Sequence, residues 1–281
     1  MNAIELLDQP TATGQGLVFN HEPIQKFWFD PDLSNRTIKQ ERRYRQTRLA
    51  AAFRLFARYG FDQGLAGHIT ARDPELQDHF WVNPLGVHFS RIRVSDLLLV
   101  NSRGETVIGQ RPLNKAAFAI HAAIHEAHPN LVAAAHTHST FGKAWSSLGR
   151  KLDPLTQDSC SFYEDHVLFD DFTGMVVDIS EGERIAQALF KQDQTASKGV
   201  ILKNHGILTV GTTVEAAAWY YIALDNACHT QLLAEAAGIP QPIDHETARL
   251  THSQVGGSEG ARYAFESLYA GLLEAEPDFL D

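Results

Sequence analysis

Two short apolar stretches constrain the fold of this chain more than any other feature of its sequence. Residues 131–135 read LVAAA and residues 199–202 read GVIL, without a polar side chain in either. Unbroken apolar runs of this length are typical of β-strands that are covered on both faces, because strands with one face in water alternate apolar and polar residues. We therefore expect both stretches to be strands of a buried central sheet.

Helices are predicted before, between and after these two strands. Residues 36–59 contain neither proline nor glycine, and apolar residues recur there at helical spacing. Capping-box spacing, Ser180 with Glu183 and Thr212 with Glu215, marks the starts of two later helices. The predicted helices cover residues 36–59, 114–128, 180–191 and 212–238. Three short strands that we expect to pair antiparallel lie between the first two helices, at residues 67–71, 80–83 and 97–101.

The chain divides into three predicted segments. Residues 1–34 are rich in Pro, Gly, Asn and Asp, a composition that suits an N-terminal arm packed over a surface. Residues 35–240 contain the predicted helices and strands and form one domain, which a chain of 281 residues is long enough to build. Residues 241–281 form a C-terminal tail with one helix, at about residues 261–273.

Charge and composition exclude several kinds of partner. The chain has 24 basic and 34 acidic residues, a formal net charge of -10 that repels a polyphosphate backbone, so no nucleic-acid partner is expected. No apolar run approaches the roughly 20 residues needed to cross a bilayer, and the first residues lack the basic and apolar regions of a signal peptide. We expect a cytoplasmic protein without a membrane partner, whose two cysteines are reduced thiols.

Histidines follow both buried strands. His136 and His138 end the first strand two residues apart, so their side chains project from the same face. His205 comes directly after the second strand, where Gly206 permits a sharp turn back along the sheet. Three imidazoles hold a divalent ion and leave it an open position, so we predict one metal ion on these histidines, with ring nitrogens less than about 8 Å apart. The alternative is three histidines that are hydrogen-bonded core or surface residues.

Four motifs together resemble one known family. GHITAR, NPLG, AAHTH and KNHG occur in the order, and near the separations, found in the class II aldolase and adducin family, at residues 67–72, 83–86, 134–138 and 203–206. The resemblance extends from about residue 45 to residue 238. It implies an α/β fold of three layers, α/β/α, with a central mostly antiparallel sheet, and homotetramers with active sites at subunit interfaces. It also implies that the three histidines bind zinc, with manganese or iron as alternatives.

The chain departs from the sugar-phosphate aldolases of that family at several site positions. Those enzymes carry a glutamate that serves as ligand and base, and the matching position here is Ala117, four residues before His121. Where they use an asparagine and a serine pair to bind phosphate, this chain has His68, Lys115 and Ala116. A sugar phosphate is therefore not the expected substrate. In this region the chain looks more like the adducin head, which lacks the glutamate and is regarded as non-catalytic.

The resemblance also supplies candidates for substrate binding, namely Gly67, His68, Gly86 and Lys115. The NPLG loop around Gly86 resembles a loop that presents backbone N–H groups to the anionic end of a substrate, and glycine permits the close approach. The alternative for this loop is an ordinary Asn-Pro turn.

Three further residues are candidates for catalysis. Tyr163 and Glu164 lie between the two histidine-bearing strands, in a segment that borders the site in the family, and either would serve as a general base. The alternative is that they belong to an exposed loop or a subunit contact. His121 matches a family histidine near the site, where it acts on the substrate or orients a ligand through a hydrogen bond.

These residues are compatible with three functions. The first is a divalent-metal-dependent carbon–carbon lyase, an aldolase or decarboxylase, acting on a small-molecule hydroxy- or oxo-carboxylate. The second is a non-heme Fe(II) oxygenase, because an ion with three histidines and open positions can also bind oxygen. The third is an adducin-like binding module without turnover. The lyase is the leading hypothesis, because loss of the glutamate weakens aldol proton transfer more than decarboxylation, in which the carboxyl group itself leaves.

Overall fold

The computed structural model describes residues 35–174, 179–191, 193 and 195–281. Residues 38–281 form one compact unit. The predicted N-terminal arm, residues 1–34, lies outside the described residues. Among the helices that are described, none has an apolar stretch sufficient to span a bilayer.

Eight strands are described, and they form one sheet. They are β1 His68–Arg72, β2 His79–Val82, β3 Leu98–Asn101, β4 Thr106–Ile108, β5 Ala133–Thr137, β6 His166–Phe169, β7 Gly199–Leu202 and β8 Gly206–Gly211. Their order across the sheet is β4-β3-β2-β1-β5-β8-β7-β6. All neighbours run antiparallel except β6 and β7, which are parallel. The expected α/β fold with a mostly antiparallel central sheet is confirmed.

Helices cover both faces of the sheet. They are α1 Ile38–Arg58, α2 Lys115–Ala127, α3 Thr140–Ser146, α4 Ile179–Ala188, α5 Val214–Ala237, α6 His245–Val255 and α7 Ser258–Ala275. One face packs against α1 and α5, on which α7 packs in turn, and the other face packs against α2 and α4. Ala133 and Ala135 of β5 belong to the core on the first face, and Ala134 belongs to the core on the second. The apolar run in β5 is unbroken because both of its faces are covered.

The C-terminal segment contains two helices, α6 and α7, where the sequence predicted one. A pair of glycines separates them, and α7 packs on α1 and α5. Phe279, which follows α7, is fully buried. Arg54 of α1 is also buried, and it forms ion pairs with Glu276 at 3.1 Å and Asp278 at 2.9 Å. This segment is therefore built into the core on one face of the sheet.

The helix that follows β8 does not begin with the predicted capping box. Thr213, rather than Thr212, is the N-cap, and its side chain accepts a hydrogen bond from the N–H of Ala216 at 3.1 Å. With Thr213 as the N-cap, Glu215 is the second residue of the helix and not the third, which is the position that a capping box requires. The carboxylate of Glu215 is buried beside Arg48 of α1 at 3.4 Å.

An aspartate directly after β1 ties the sheet to α1. The carboxylate of Asp73 accepts hydrogen bonds from Arg42 at 2.7 and 2.9 Å, from Trp81 Nε1 at 2.9 Å and from the N–H groups of Glu75 and Leu76 at 3.0 Å. Burial acts to raise the pKa of this carboxyl group, but the hydrogen bonds outweigh burial and hold the pKa well below its ordinary value. The ionised side chain therefore stabilises the fold at neutral pH.

We expect Asp73→Asn to lower the free energy of unfolding at pH 7 by about 2 kcal/mol, because buried donors lose an ionised acceptor. A depressed carboxyl pKa contributes stability above the pKa of the unfolded chain, about 3.9, and that stability is lost as the pH falls. The deficit of the variant, measured by urea unfolding, should therefore shrink below about pH 4. The exposed Asp78→Asn is the control and should stay within about 0.5 kcal/mol of wild type. A deficit that does not change with pH would contradict this account.

Candidate metal centre

Three histidines meet at one end of the central strands. His136 is the penultimate residue of β5, and His138 follows directly after the strand. His205 lies in the turn that joins β7 to β8. Since β5 and β8 are neighbours, with Thr137 opposite Ile207, the turn places His205 beside the end of β5. One ring nitrogen from each histidine lies within 4.8 Å of the others. The structure therefore brings the three predicted ligands together.

The three imidazoles present the lone pairs that a divalent ion requires. His136 Nδ1 lies 2.8 Å from the carbonyl oxygen of Ile207, so Nδ1 carries the proton and Nε2 keeps its lone pair. Burial lowers the pKa of all three rings, to about 4 for His205, with smaller contributions from neighbouring histidines or from Lys143. Neutral imidazoles are ligands that zinc and related divalent ions accept. The residues present fit such an ion.

A tyrosine of α5 fixes the segment that carries two of these histidines. The hydroxyl of Tyr221 donates to the carbonyl oxygen of Thr137 at 2.7 Å and accepts from Thr137 Oγ1 at 2.8 Å. On the other side Gly67 has a φ of 115°, and a Cβ at this position would lie 3.0 Å from Thr137 Cγ2. Because Thr137 is held from both sides, the directions of His136 and His138 are set by their neighbour in the chain.

Removal of the Tyr221 hydroxyl, in Tyr221→Phe, is expected to weaken metal binding about tenfold, because the histidines on either side of Thr137 lose their fixed direction. Competition with a chromophoric chelator measures the dissociation constant. Tyr220→Phe removes a hydroxyl from the adjacent residue of α5 and should bind metal as tightly as wild type. Equal dissociation constants for Tyr221→Phe and wild type would show that this tyrosine has no part in metal binding.

Two further buried histidines lie next to the cluster. His68, at the start of β1, is opposite His136 in the strand register, and their ring centroids are 6.5 Å apart. His121 of α2 lies edge-to-face with His68 at 5.3 Å. Burial lowers the pKa of both rings, to about 3 for His121. One predicted substrate-binding residue and one predicted catalytic residue are thus brought close to the candidate metal ligands.

Two of the predicted substrate-binding glycines line one pocket. Gly67 and Gly86 lie on the walls of a pocket of about 240 Å³, together with Asn83 and Asn114. The side-chain oxygen of Asn83 is buried and has no hydrogen-bond partner among the described residues, so it is suited to accept from a ligand. Lys115, the fourth predicted substrate-binding residue, begins α2 directly after Asn114, and its side chain lies outside the described residues.

Tyr163 and Glu164, predicted to be catalytic, lie at the other end of the strands from the three histidines. They precede β6, whose first residue pairs with the first residue of β7, whereas His205 follows the last residue of β7. The Tyr163 hydroxyl lies 2.7 Å from His245 Nδ1, and Glu164 forms an ion pair with Arg249 at 2.7 Å. Both partners belong to α6. The structure does not bring these two side chains to the histidine cluster, because the direction of β6 carries them away from it.

An aromatic residue that the sequence did not suggest lies at the cluster instead. The ring of Phe172, which follows β6, lies 6.3 Å from that of His205, and 46% of the residue is exposed. Because β6 and β7 are parallel, with Phe169 opposite Leu202, the residues that follow both strands meet at the same end of the sheet. Identification of the HVLF stretch at residues 166–169 as a strand parallel to β7 would have pointed to Phe172.

Comparisons with known proteins agree with this fold. The family model described as Class II Aldolase and Adducin N-terminal domain matches residues 47–232. "Decarboxylase NovR" from Streptomyces niveus is 49% identical over 244 residues, which are 86% of this chain and 88% of that protein. "4-hydroxy-3-prenylphenylpyruvate oxygenase/4-hydroxy-3-prenylbenzoate synthase" from Streptomyces roseochromogenus subsp. oscitans is 47% identical over 262 residues, 92% of this chain and 89% of that protein. The solved structure "L-fuculose 1-phosphate aldolase from Glaciozyma antarctica PI12" has a TM-score of 0.79 and 42% identity, and the match covers 87% of this chain and 95% of that one.

The fold and the histidine cluster define an α/β protein with a candidate metal centre at the end of its central strands. The match to one family model covers most of the domain, and two relatives are close to half identical to this chain. These matches identify the family within that class. This chain belongs to the class II aldolase and adducin family, which confirms the resemblance carried by its four sequence motifs.

Proposed function

We propose that this protein is a divalent-metal-dependent lyase that removes the carboxyl group of an aromatic oxo- or hydroxy-carboxylate. The observation that carries the proposal is the cluster of His136, His138 and His205, with ring nitrogens within 4.8 Å of one another. Two relatives that match 86% and 92% of this chain are named as a decarboxylase and as an oxygenase and synthase of prenylated aromatic acids. These names support an aromatic carboxylate as the substrate class.

Decarboxylation suits the residues that surround the cluster. When bound, the divalent ion supplies a Lewis acid that stabilises negative charge developing on a substrate oxygen. In a 3-oxo acid the electron pair of the breaking carbon–carbon bond moves into the carbonyl group, CO2 leaves, and the resulting enolate takes up one proton. No base has to remove a proton from carbon, which is consistent with Ala117 at the position of the family's glutamate. The neutral, buried rings of His68 and His121 favour conversion of a charged carboxylate into neutral CO2.

A second function, that of an oxygenase, is favoured by the name of one relative, which describes a 4-hydroxy-3-prenylphenylpyruvate oxygenase. A 2-oxo acid has no carbonyl group placed to accept the electron pair of the breaking bond, so without a covalent cofactor that takes up this pair its loss of CO2 requires an oxidant such as dioxygen. Three neutral imidazoles accept Fe(II) as well as zinc. In this case one dioxygen would be consumed for each CO2 released, with one oxygen atom completing the new carboxyl group and the other entering the organic product as a hydroxyl group.

Metal dependence and gas stoichiometry separate these functions. We would load the protein anaerobically with zinc, manganese or Fe(II), supply an aryl 3-oxo acid or an arylpyruvate, and measure CO2 release and dioxygen uptake. CO2 from the 3-oxo acid without dioxygen uptake supports the lyase, and uptake with the arylpyruvate and iron supports the oxygenase. His136→Ala protein measures the background from free metal and spontaneous decarboxylation. Absence of product above this background with every metal would leave the adducin-like binding module.

We also propose that the protein is a homotetramer, the assembly that the family resemblance implies. Light scattering during gel filtration is expected to give a mass four times the 31.2 kDa of the chain. A monomeric mass under the conditions in which the protein binds metal would contradict this assembly.

A further inference from the structure

Four buried polar residues of β1 and α2 form a continuous hydrogen-bonded line, which we call the buried row: Arg72, His125, Thr70 and His121. Thr70 Oγ1 lies 2.8 Å from His121 Nδ1 and 2.8 Å from His125 Nε2. Arg72 Nη2 lies 3.5 Å from His125 Nδ1. At the other end of the row, His121 Nε2 is buried without a hydrogen-bond partner among the described residues. An unpaired buried nitrogen next to a candidate active site requires an explanation.

The direction in which each hydrogen bond of the buried row is donated follows from Arg72, the donor at one end of the row. Burial, and for His125 also the charge of Arg72, lowers the pKa of both rings to about 3, so both are neutral at pH 7. A guanidinium group only donates hydrogen bonds, so His125 Nδ1 accepts and the proton of that ring is on Nε2. His125 then donates to Thr70 Oγ1. The threonine hydroxyl donates its one hydrogen bond to His121 Nδ1. His121 Nδ1 is therefore the acceptor, and the ring proton of His121 is on Nε2.

The reverse direction would place two donors face to face. It requires a proton on His125 Nδ1, opposite an N–H of Arg72. A carbonyl oxygen has two lone pairs, so the carbonyl of Leu131, which raises the pKa of His125, accepts from Arg72 Nε at 3.1 Å without selecting the tautomer of the ring. Arg72 also donates to the carbonyl groups of Gln77, His125 and His128, which hold the guanidinium in place. The guanidinium that begins the row is therefore held in place, and Nη2 shares its two protons among His125 Nδ1 and two carbonyl oxygens.

We propose that the buried row holds His121 as a neutral N–H donor for an anionic oxygen of the substrate, with Thr70, His125 and Arg72 as positioning residues. His121 lies beside His68, one turn of α2 after the position where the family aldolases carry a carboxylate. A donor at this place recognises a carboxylate or enolate oxygen. The identity of that oxygen rests on the proposed function, whereas the protonation of the row does not depend on any substrate.

Nitrogen-15 spectra of the histidine side chains test the row without substrate. Long-range proton–nitrogen correlation, on histidine-labelled protein loaded with diamagnetic zinc, distinguishes a ring protonated on Nε2 from one protonated on Nδ1. The protein contains its own references, because His128 Nε2 faces a backbone carbonyl at 2.9 Å and His166 Nδ1 faces another at 2.6 Å. His121 and His125, assigned by loss of their signals in glutamine variants, are expected to match His128. If either ring matches His166, the proposal is overturned.

Variants at Thr70 test whether this protonation is used. Thr70→Val removes the hydroxyl at nearly constant shape and is expected to leave His121 as a mixture of two tautomers and to lower kcat about 100-fold. Thr70→Ser keeps the hydroxyl and should have both the single tautomer of His121 and the kcat of wild type. Thr209→Val is the matched control, because it removes another buried hydroxyl, which donates to the carbonyl of Ala217 at 2.8 Å, and it should change neither.

The outcomes separate the buried row from the proposed function. A Thr70→Val protein in which His121 stays protonated on Nε2 alone would overturn the positioning role. An altered tautomer with unchanged kcat would overturn the role of His121 as donor. If Thr70→Val does not fold, the wild-type spectra and Thr70→Ser still decide the protonation. If wild type converts no carboxylate, the proposed function fails, and the nitrogen spectra decide the row independently.

Discussion

His136→Ala protein is expected to be purified with less than about one-tenth of the metal that wild-type protein carries. The reason is that His136 is the most buried of the three clustered histidines and that its Nε2 lone pair is set by the hydrogen bond from Nδ1 to the Ile207 carbonyl. Two remaining imidazoles, His138 and His205, do not make a tight site. Elemental analysis after gel filtration in metal-free buffer measures the content.

A second buried histidine supplies the control for this loss. His128→Ala removes a ring that lies outside the cluster and whose Nε2 is hydrogen-bonded to the carbonyl oxygen of Ala186 at 2.9 Å. This variant should therefore retain the wild-type metal content. Thermal unfolding in the presence of a chelator shows whether both variants are folded. Metal content in His136→Ala equal to that of wild type would remove the proposed centre and the lyase that depends on it.

The core of the sheet was predictable because burial on both faces leaves a local signature. Ala133 and Ala135 belong to the core cluster that includes α1 and α5, Ala134 belongs to the cluster that includes α2 and α4, and the result is a run without a polar side chain. The pairing of His136 with His138 was also predictable, because strand periodicity places residues two apart on one face. Convergence of His205 on that pair depends on β5 lying beside β8, which the positions of the histidines after two buried strands suggested and the family resemblance supported.

Strand direction was not predictable from local sequence, and it determines where two candidate catalytic residues lie in the fold. Tyr163 and Glu164 lie between the two histidine-bearing strands in the chain, but β6 runs parallel to β7 and carries them to its other end. The same direction brings Phe172 to His205. Sequence order alone does not determine whether a strand adds to a sheet parallel or antiparallel, because the hydrogen-bonding groups of the backbone permit both.

The buried row was visible only in part. The spacing of His121 and His125 puts both on one face of a helix, which the sequence shows. Their joint partner Thr70 comes from β1, 51 and 55 residues earlier in the chain, and no periodicity connects a strand residue to a helix face at that separation. The tautomer of His121 depends on this long-range contact, so it follows from the three-dimensional structure alone.

Replacement of Phe279 with alanine should lower the free energy of unfolding by about 3–5 kcal/mol, although the sequence placed this residue in a tail. Phe279 is fully buried, and its ring packs edge-to-face on that of Tyr269 of α7 at 5.8 Å. It belongs to the core cluster that α1, α5 and α7 share. Removal of the ring leaves a cavity and loosens the chain end whose Glu276 and Asp278 pair with buried Arg54, so two stabilising interactions weaken together.

Urea unfolding followed by circular dichroism measures this loss, with Leu250→Ala as the control. Leu250 lies on α6 in the same C-terminal segment and is largely exposed, so its truncation should change the free energy of unfolding by no more than about 0.5 kcal/mol. A Phe279→Ala protein within about 1 kcal/mol of wild type would mean that residues 241–281 contribute little to the core. A large loss confined to Phe279 would mean instead that the domain requires its C-terminal helices, because Phe279 completes the core beside α1 and the residues next to it pair with Arg54.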